Sequence, residues 1–205
     1  MSLIGLCGFK GHGKNTVSSI LCKKYGYVEL SFASKLKDIL SILFGWDRIL
    51  LEGLTEYSRK WRNEIDTYWC EKLNIPNFTP NYAMEYIGTE LFRNHFDENI
   101  WILFLEKELV DHLKNKKNIV VTDCRFKNEY DLLKKYGAKI ISVYRSPPNK
   151  DFYHYKNGKM PKNYENKHSS RITWIRFEFD FEIENYGSIE NLENIIAKNY
   201  DLWVV

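Results

Sequence analysis

Gly8-Phe9-Lys10-Gly11-His12-Gly13-Lys14-Asn15-Thr16 is a glycine-rich loop near the start of the chain. It follows an apolar run, Leu3–Cys7, and precedes a helical pattern of apolar residues that begins near Lys14. A loop of this kind between a buried strand and a helix can bind nucleotide phosphates. Its glycines let backbone N–H groups turn toward the anion, and the helix N-terminus attracts negative charge. The sequence therefore predicts a phosphate-binding loop over residues 8–16.

Two side chains of this loop are predicted to contact the phosphates or the metal ion. The usual spacing is G-x-x-x-x-G-K-[ST]; here Asn15 stands where Ser or Thr is expected and Thr16 follows one residue later. Lys14 is expected to reach the β- and γ-phosphates. We interpret Thr16 as the hydroxyl on the magnesium side of the site.

Composition restricts the function classes. The 205 residues carry 30 basic and 27 acidic side chains, a net charge of +3, which argues against nucleic acid as the main partner. No apolar run approaches the ~20 residues of a membrane span, and the N-terminus enters a core strand without a signal peptide pattern. The four cysteines show no C-x-x-C spacing and are expected to be reduced. These features favour a cytoplasmic protein, in the host cytoplasm if the chain is viral.

Apolar strands alternate with amphipathic helices, which indicates an α/β fold built from parallel βαβ units. Strands are predicted at residues 3–7, 27–32, 118–122, 139–145 and 177–184. Residues 46–97 interrupt the alternation and are predicted to form a helical insertion. Residues 146–170 are polar, contain proline and lack an apolar period, so we interpret them as a lid-like segment.

A carboxylate and several cations are candidates for the rest of the site. Asp123 directly follows the strand at 118–122, so it should share the carboxyl edge of a parallel sheet with the phosphate loop. A carboxylate there can hold Mg²⁺ directly or through water. Arg125 lies two residues further on and can face the same cleft. Arginine binds phosphate bidentately and stays charged, which makes Arg93 and Arg62 further candidates.

An ordered series of motifs resembles the deoxynucleoside monophosphate kinases of bacteriophages and large DNA viruses. Besides the loop, the matching elements are Ser31-Phe32-Ala33-Ser34-Lys35-Leu36-Lys37, Tyr86-Ile87-Gly88-Thr89-Glu90 with Arg93 and Trp101, Val120-Val121-Thr122-Asp123-Cys124-Arg125, and residues 141–145 followed by Pro147. His168-Ser169-Ser170 falls where many relatives carry H-x-S-E, but Arg171 replaces the acid.

The resemblance implies a three-layer P-loop kinase fold, with a central, mostly parallel five-stranded sheet flanked by helices. It also implies a monophosphate-binding insert over 46–97 and a lid over 146–170, within one kinase domain spanning residues 1–205. ATP would be the donor, with Mg²⁺, and a deoxynucleoside 5′-monophosphate the acceptor. The implied ATP-binding residues are Gly8, Gly11, His12, Gly13, Lys14, Asn15, Thr16 and Arg145. Those implied for the acceptor are Lys37, Arg62, Arg93, Asp123 and Arg125. Lys14, Arg93, Asp123 and Arg125 would be catalytic, and Thr16 and Asp123 would serve the metal.

Other functions are compatible with a phosphate loop. A kinase acting on a hydroxyl acceptor would use Asp123 as a general base. A nucleotide switch or ATPase is a second alternative, although Asn166-Lys167-His168-Ser169 lacks the aspartate of the guanine signature. A nucleic-acid end kinase is disfavoured by the weak net charge. The sequence leaves the preferred base open, and it also leaves open a homodimer.

Overall fold

The computed structural model describes residues 1–204. The chain divides into two compact units, one formed by residues 1–31 and 105–205 and the other by residues 32–104. The second unit therefore contains the predicted insertion at 46–97 and extends beyond it on both sides.

The first unit is built on a five-stranded sheet. Its strands are β1 (Leu3–Cys7), β2 (Val28–Leu30), β3 (Ile119–Val121), β4 (Lys139–Tyr144) and β5 (Phe181–Glu184). They are ordered β2-β3-β1-β4-β5, and every pairing is parallel. The predicted α/β class with a central parallel sheet is confirmed. Because β1 and β3 are neighbours, residues that follow these two strands share one edge of the sheet.

Within the first unit, helices lie on both faces of this sheet, which gives three layers. The helices of this unit are α1 (Lys14–Tyr25), α7 (Lys127–Lys135), α8 (Lys150–Lys156) and α9 (Ile189–Trp203). Those of the second unit are α2 (Ser34–Phe44), α3 (Glu56–Trp61), α4 (Thr67–Leu73) and α5 (Pro80–Glu85), and α6 (Ile100–Lys114) begins in the second unit and ends in the first. Alternate strand residues such as Ile4 and Leu6 share a buried core with α1 and α9. On the other face α7 packs closely, because a Cβ on Gly5 would lie 2.8 Å from the side chain of Leu133.

Several element bounds differ from the sequence expectations. β2 and β5 are shorter than predicted, and residues Thr173–Arg176 before β5 form a 3₁₀ turn. The segment 146–170 is not without structure, since it contains α8 and the 3₁₀ turn Lys162–Tyr164. Its buried aromatic residues are Phe152, Tyr155 and Tyr164. Only Phe152 and Tyr155 are one helical turn apart, within the short helix α8, so the segment has no sustained apolar period.

The second unit is mostly helical, as predicted for its central part. α2, a 3₁₀ turn at Leu50–Glu52, α3, α4 and α5 follow one another, and α5 continues into a π-helix, Tyr86–Arg93. The π-helix was not predicted, because apolar periodicity cannot distinguish a bond to residue i+4 from one to i+5.

None of the helices in residues 1–204 is both long enough and apolar enough to cross a membrane.

Candidate nucleotide site

The phosphate loop connects β1 to α1 through three glycines with positive φ, Gly8 at 145°, Gly11 at 85° and Gly13 at 100°. Two of these positions also have no room for a side chain. A Cβ on Gly8 would lie 2.6 Å from the carbonyl oxygen of Val143, and one on Gly13 would lie 2.3 Å from Nδ2 of Asn185. The loop is thus held against the sheet edge and its backbone is exposed to an incoming anion.

Lys14 begins α1 and folds back over this loop. Its Nζ donates hydrogen bonds to the carbonyl oxygens of Gly8 at 2.7 Å and Phe9 at 3.0 Å. Burial, followed by the positive charge of Arg125, lowers the pKa of Lys14 to about 8; Cys7 and Asp123 act in the opposite direction. Three of the predicted site residues, Lys14, Asp123 and Arg125, are therefore close enough for Lys14 to interact electrostatically with the other two.

Asp123 lies just beyond β3 and is buried. Its Oδ2 accepts a hydrogen bond of 2.7 Å from the hydroxyl of Ser31, the residue that follows β2. Sequence reasoning gave Ser31 no separate role. Its position could have indicated a role, because Ser31 follows β2, Asp123 follows β3, and these two strands are neighbours in the sheet.

The turn that carries Arg125 is held by a buried carboxylate. Oε2 of Glu129 accepts hydrogen bonds from the backbone N–H groups of Arg125 at 2.7 Å and Phe126 at 3.0 Å. Glu129 is only 2% exposed, whereas the Arg125 side chain faces solvent. Sequence reasoning missed Glu129, although an acid in the first turn of a helix is a recognisable start signal.

A cavity of about 250 Å³ lies beside the loop. Its lining residues are Gly11, Gly13, Thr16, Arg145, Asn185, Ile189 and Leu192. Arg145 closes one part of it, because its Nη1 donates to the backbone oxygens of Asn185 and Gly187 at 3.0 and 3.2 Å. The predicted Arg145 and Thr16 therefore meet at one cavity, together with the unpredicted Asn185.

His12 is held between the loop and this cavity. Its carbonyl accepts a 3.1 Å hydrogen bond from Nδ2 of Asn185, and its Nδ1 accepts one of 3.3 Å from the backbone N–H of Arg145. Burial and then the charge of Lys14 lower the pKa of His12, against a backbone hydrogen bond to Val143. The neutral imidazole is thus favoured, and His12 acts here as an acceptor that fixes the loop to β4.

The residues predicted for magnesium are a hydroxyl and a carboxylate. Within residues 1–204 no group of three or more His, Cys, Asp or Glu side chains could enclose a metal ion. Mg²⁺ bound with a nucleotide usually takes one or two protein oxygens, with phosphate oxygens and water completing its shell. The hard oxygen donors Thr16 and Asp123 fit that mode, and an all-protein cage is not needed.

The predicted lid contacts the phosphate loop within the first unit. The ring of Phe9 packs edge-on against Phe152 at 6.5 Å and against Trp174 at 5.0 Å. The ammonium of Lys167 lies 5.9 Å from the Phe9 ring centroid. A movement of this segment would therefore change the packing around Phe9 in the phosphate loop.

The remaining predicted cations lie in the second unit. Arg93 is at the end of the π-helix, is buried, and donates from Nη1 to the carbonyl oxygen of Glu98 at 3.3 Å. Lys37 forms an ion pair with Glu52, whose other oxygen pairs with Arg48.

Arg62 forms hydrogen bonds within the second unit. Its Nε donates to Oδ1 of Asn81 at 3.1 Å, and its Nη1 donates to the carbonyl oxygen of Glu52 at 3.2 Å. A Cβ on Gly53 would lie 2.2 Å from that Nη1. These contacts give Arg62 a structural role, and its predicted contact with an acceptor stays a prediction.

Comparison with known proteins gives a consistent result. Residues 63–196 match the model of the deoxynucleotide monophosphate kinase family. A putative deoxynucleotide monophosphate kinase of Acanthamoeba polyphaga mimivirus is 34% identical over 157 residues, which cover 71% of this chain and 75% of that protein. The deoxynucleotide monophosphate kinase of Enterobacteria phage T4 is 21% identical and aligns over 94% of this chain and 95% of its own length.

Two further similarities are weaker. The deoxynucleoside-5′-monophosphate kinase of Escherichia phage T5 is 23% identical, covering 65% of this chain and 72% of that protein. Among solved structures, dephospho-CoA kinase from Campylobacter jejuni aligns over 98% of this chain and 96% of its own, with 15% identity and a TM-score of 0.42.

Proposed function

The chain belongs to the deoxynucleotide monophosphate kinase family, and from that premise we propose how its residues divide the work of phosphoryl transfer. The activity is ATP-dependent phosphorylation of deoxynucleoside 5′-monophosphates to diphosphates. The observation that carries the proposal is the cluster of Lys14, Asp123 and Arg125 at the edge of the sheet, next to the glycine loop.

The glycine loop binds the triphosphate of ATP. Backbone N–H groups between Gly8 and Gly13 surround the phosphates, and Lys14 leaves its two loop carbonyls to contact the β- and γ-phosphates. The cavity between Arg145 and Ile189 receives the rest of ATP, where Leu192 offers an apolar wall.

The chemistry needs charge compensation more than proton transfer. A monophosphate acceptor is already an anion, so the main obstacle is repulsion between two negatively charged reactants held in line. Lys14 and Arg125 reduce that repulsion, and Arg93 binds the acceptor phosphate. The carboxylate of Asp123 accepts a hydrogen bond from Ser31 and lies near Lys14, and these contacts hold it in place as an oxygen ligand.

Mg²⁺ would be held on the protein side by Thr16 and Asp123. When bound, it neutralises charge on the β- and γ-phosphate oxygens. Ser31 fixes the Asp123 carboxylate in this arrangement through its 2.7 Å hydrogen bond.

The insert over residues 46–97 and the lid over residues 146–170 have separate functions. Residues 46–97, with Lys37 just before them, take the monophosphate. Residues 146–170 act as a lid that excludes water, which would otherwise accept the phosphoryl group. The contact of Phe152 with Phe9 couples this lid to the phosphate loop.

A substrate panel tests the proposal. Purified protein is assayed for ADP release with ATP and each of dAMP, dCMP, dGMP and dTMP, and in parallel with the four matching deoxynucleosides. At least one monophosphate is expected to support turnover while its deoxynucleoside does not. Turnover with deoxynucleosides only would make Asp123 a general base, and ADP release without any acceptor would indicate an ATPase.

A further inference from the structure

The π-helix Tyr86–Arg93 is tied at two points to one side chain, Trp101 of α6. The indole N–H of Trp101 donates a buried hydrogen bond of 2.8 Å to the carbonyl oxygen of Gly88. The ring also packs against Phe92, with centroids 5.1 Å apart. Gly88 and Phe92 lie on either side of the π-helical turn that ends at Arg93.

This geometry matters because π-helices are rare and need outside support. The bond from the backbone N–H of Asn94 to the carbonyl of Thr89 spans five residues, which identifies the wider turn at the position of Arg93. An α-helix advances about 100° per residue, so one extra residue in a turn redirects every following side chain by roughly that angle. The π-helix therefore determines the direction of the Arg93 side chain.

Close packing at Gly88 supports the same turn from the other side. A Cβ at Gly88 would lie 2.6 Å from Cδ2 of Leu36 in α2. The Gly88 backbone can thus lie against α2 while its carbonyl oxygen accepts the hydrogen bond from the indole. An inserted side-chain donor is a known cause of such local departures from α-helical geometry.

We infer that Trp101 is a positioning residue for Arg93: by holding the carbonyl of Gly88 it maintains the π-helix that aims the guanidinium at the acceptor phosphate. The inference rests on the proposed function in one respect, the assignment of Arg93 to the acceptor. Trp101 is buried, and it acts through the backbone between residues 88 and 93.

The test compares Trp101→Phe with a matched control, Trp203→Phe. Both indoles are buried, and Trp203 lies at the end of α9 in the first unit, outside the residues assigned to either nucleotide. Each substitution replaces a buried indole by a smaller ring, so the melting temperature of both variants should fall. Only Trp101→Phe is expected to reduce kcat/KM for the monophosphate, by roughly 3- to 10-fold, with KM for ATP unchanged.

A double-mutant cycle separates positioning from general damage. In an Arg93→Ala background, Trp101→Phe should cause no further loss of kcat/KM for the monophosphate, because the side chain it positions is gone. An equal loss in both backgrounds would overturn the inference. Equal kinetic effects of Trp203→Phe and Trp101→Phe would overturn it as well.

Hydrogen exchange of the wild-type protein provides a readout that does not depend on activity. If one opening event releases the π-helix, the Trp101 indole N–H and the Asn94 backbone N–H should exchange at similar rates. A fast-exchanging indole beside a protected Asn94 amide would contradict the inference. If Arg93→Ala leaves acceptor kinetics unchanged, the acceptor assignment of Arg93 is wrong and the positioning role fails with it. The exchange rates then show separately whether Trp101 holds the π-helix.

Discussion

ATP binding should depend on pH through Lys14. In the free protein burial and the nearby Arg125 lower the pKa of Lys14 to about 8, whereas a bound triphosphate favours the charged ammonium and raises that pKa again. Binding must therefore take up a proton whenever Lys14 is neutral beforehand. ATP affinity should therefore fall as the pH rises from 7 to 9.

The magnitude follows from the fraction of protein with a charged Lys14. With a pKa of about 8, that fraction is about 0.9 at pH 7 and about 0.1 at pH 9. If only the charged form binds, Kd for ATP should increase roughly tenfold between pH 7 and pH 9. At pH 8 about half a proton should be taken up for each ATP bound.

Isothermal titration calorimetry in two buffers of different ionisation enthalpy measures both quantities. Lys14→Arg is the control, because arginine stays charged throughout this range and should bind ATP more weakly but without the pH dependence. The His12 imidazole, with its lowered pKa, titrates below the window and does not interfere. A wild-type Kd that is constant from pH 7 to 9 would refute the reasoning, as would the same slope in Lys14→Arg.

Three further substitutions test separate parts of the site. Gly13→Ala places a methyl group 2.3 Å from Nδ2 of Asn185 at a φ of 100°, so ATP affinity should fall at least tenfold and the melting temperature should drop, measured by calorimetry and thermal unfolding. Unchanged ATP binding would mean that the loop is not the donor site. Arg125→Ala should raise KM for the monophosphate or lower kcat far more than it weakens ATP binding, and an equal loss of both would move Arg125 to the donor side. Glu129→Ala leaves two backbone N–H groups without their buried acceptor and should cost about 1–3 kcal/mol of unfolding free energy, read from urea denaturation. A loss below ~0.5 kcal/mol would show that Glu129 does not hold the Arg125 turn.

The sheet and the phosphate loop could be predicted because their signals are local. Continuous apolar runs give the strands, and the spacing of Gly8, Gly13 and Lys14 requires a tight turn before a helix. The position of Asp123 beside the phosphate loop could be predicted because the carboxyl ends of parallel strands lie on one edge of the sheet.

The parts that could not be predicted depend on contacts between distant residues. Asn185 reaches the loop through a hydrogen bond across 173 residues, and no local pattern marks it. The π-helix depends on the donor in Trp101 and on close packing with Leu36, neither of which changes the apolar period of residues 86–93. The structure of the lid segment could not be predicted because only two of its buried aromatic residues, Phe152 and Tyr155, are one helical turn apart, and Tyr164 lies nine residues further on.

The most direct test of the account is to identify the phosphorylated product. ³¹P NMR of a reaction containing ATP, Mg²⁺ and the deoxynucleoside monophosphate that turns over best should show the α and β resonances of a deoxynucleoside diphosphate growing as ADP forms. The Lys14→Ala variant, folded by circular dichroism, should produce them orders of magnitude more slowly. If ADP and inorganic phosphate are the only new products, or if Lys14→Ala retains activity within a few-fold, the glycine loop is not the phosphoryl-donor site of a monophosphate kinase.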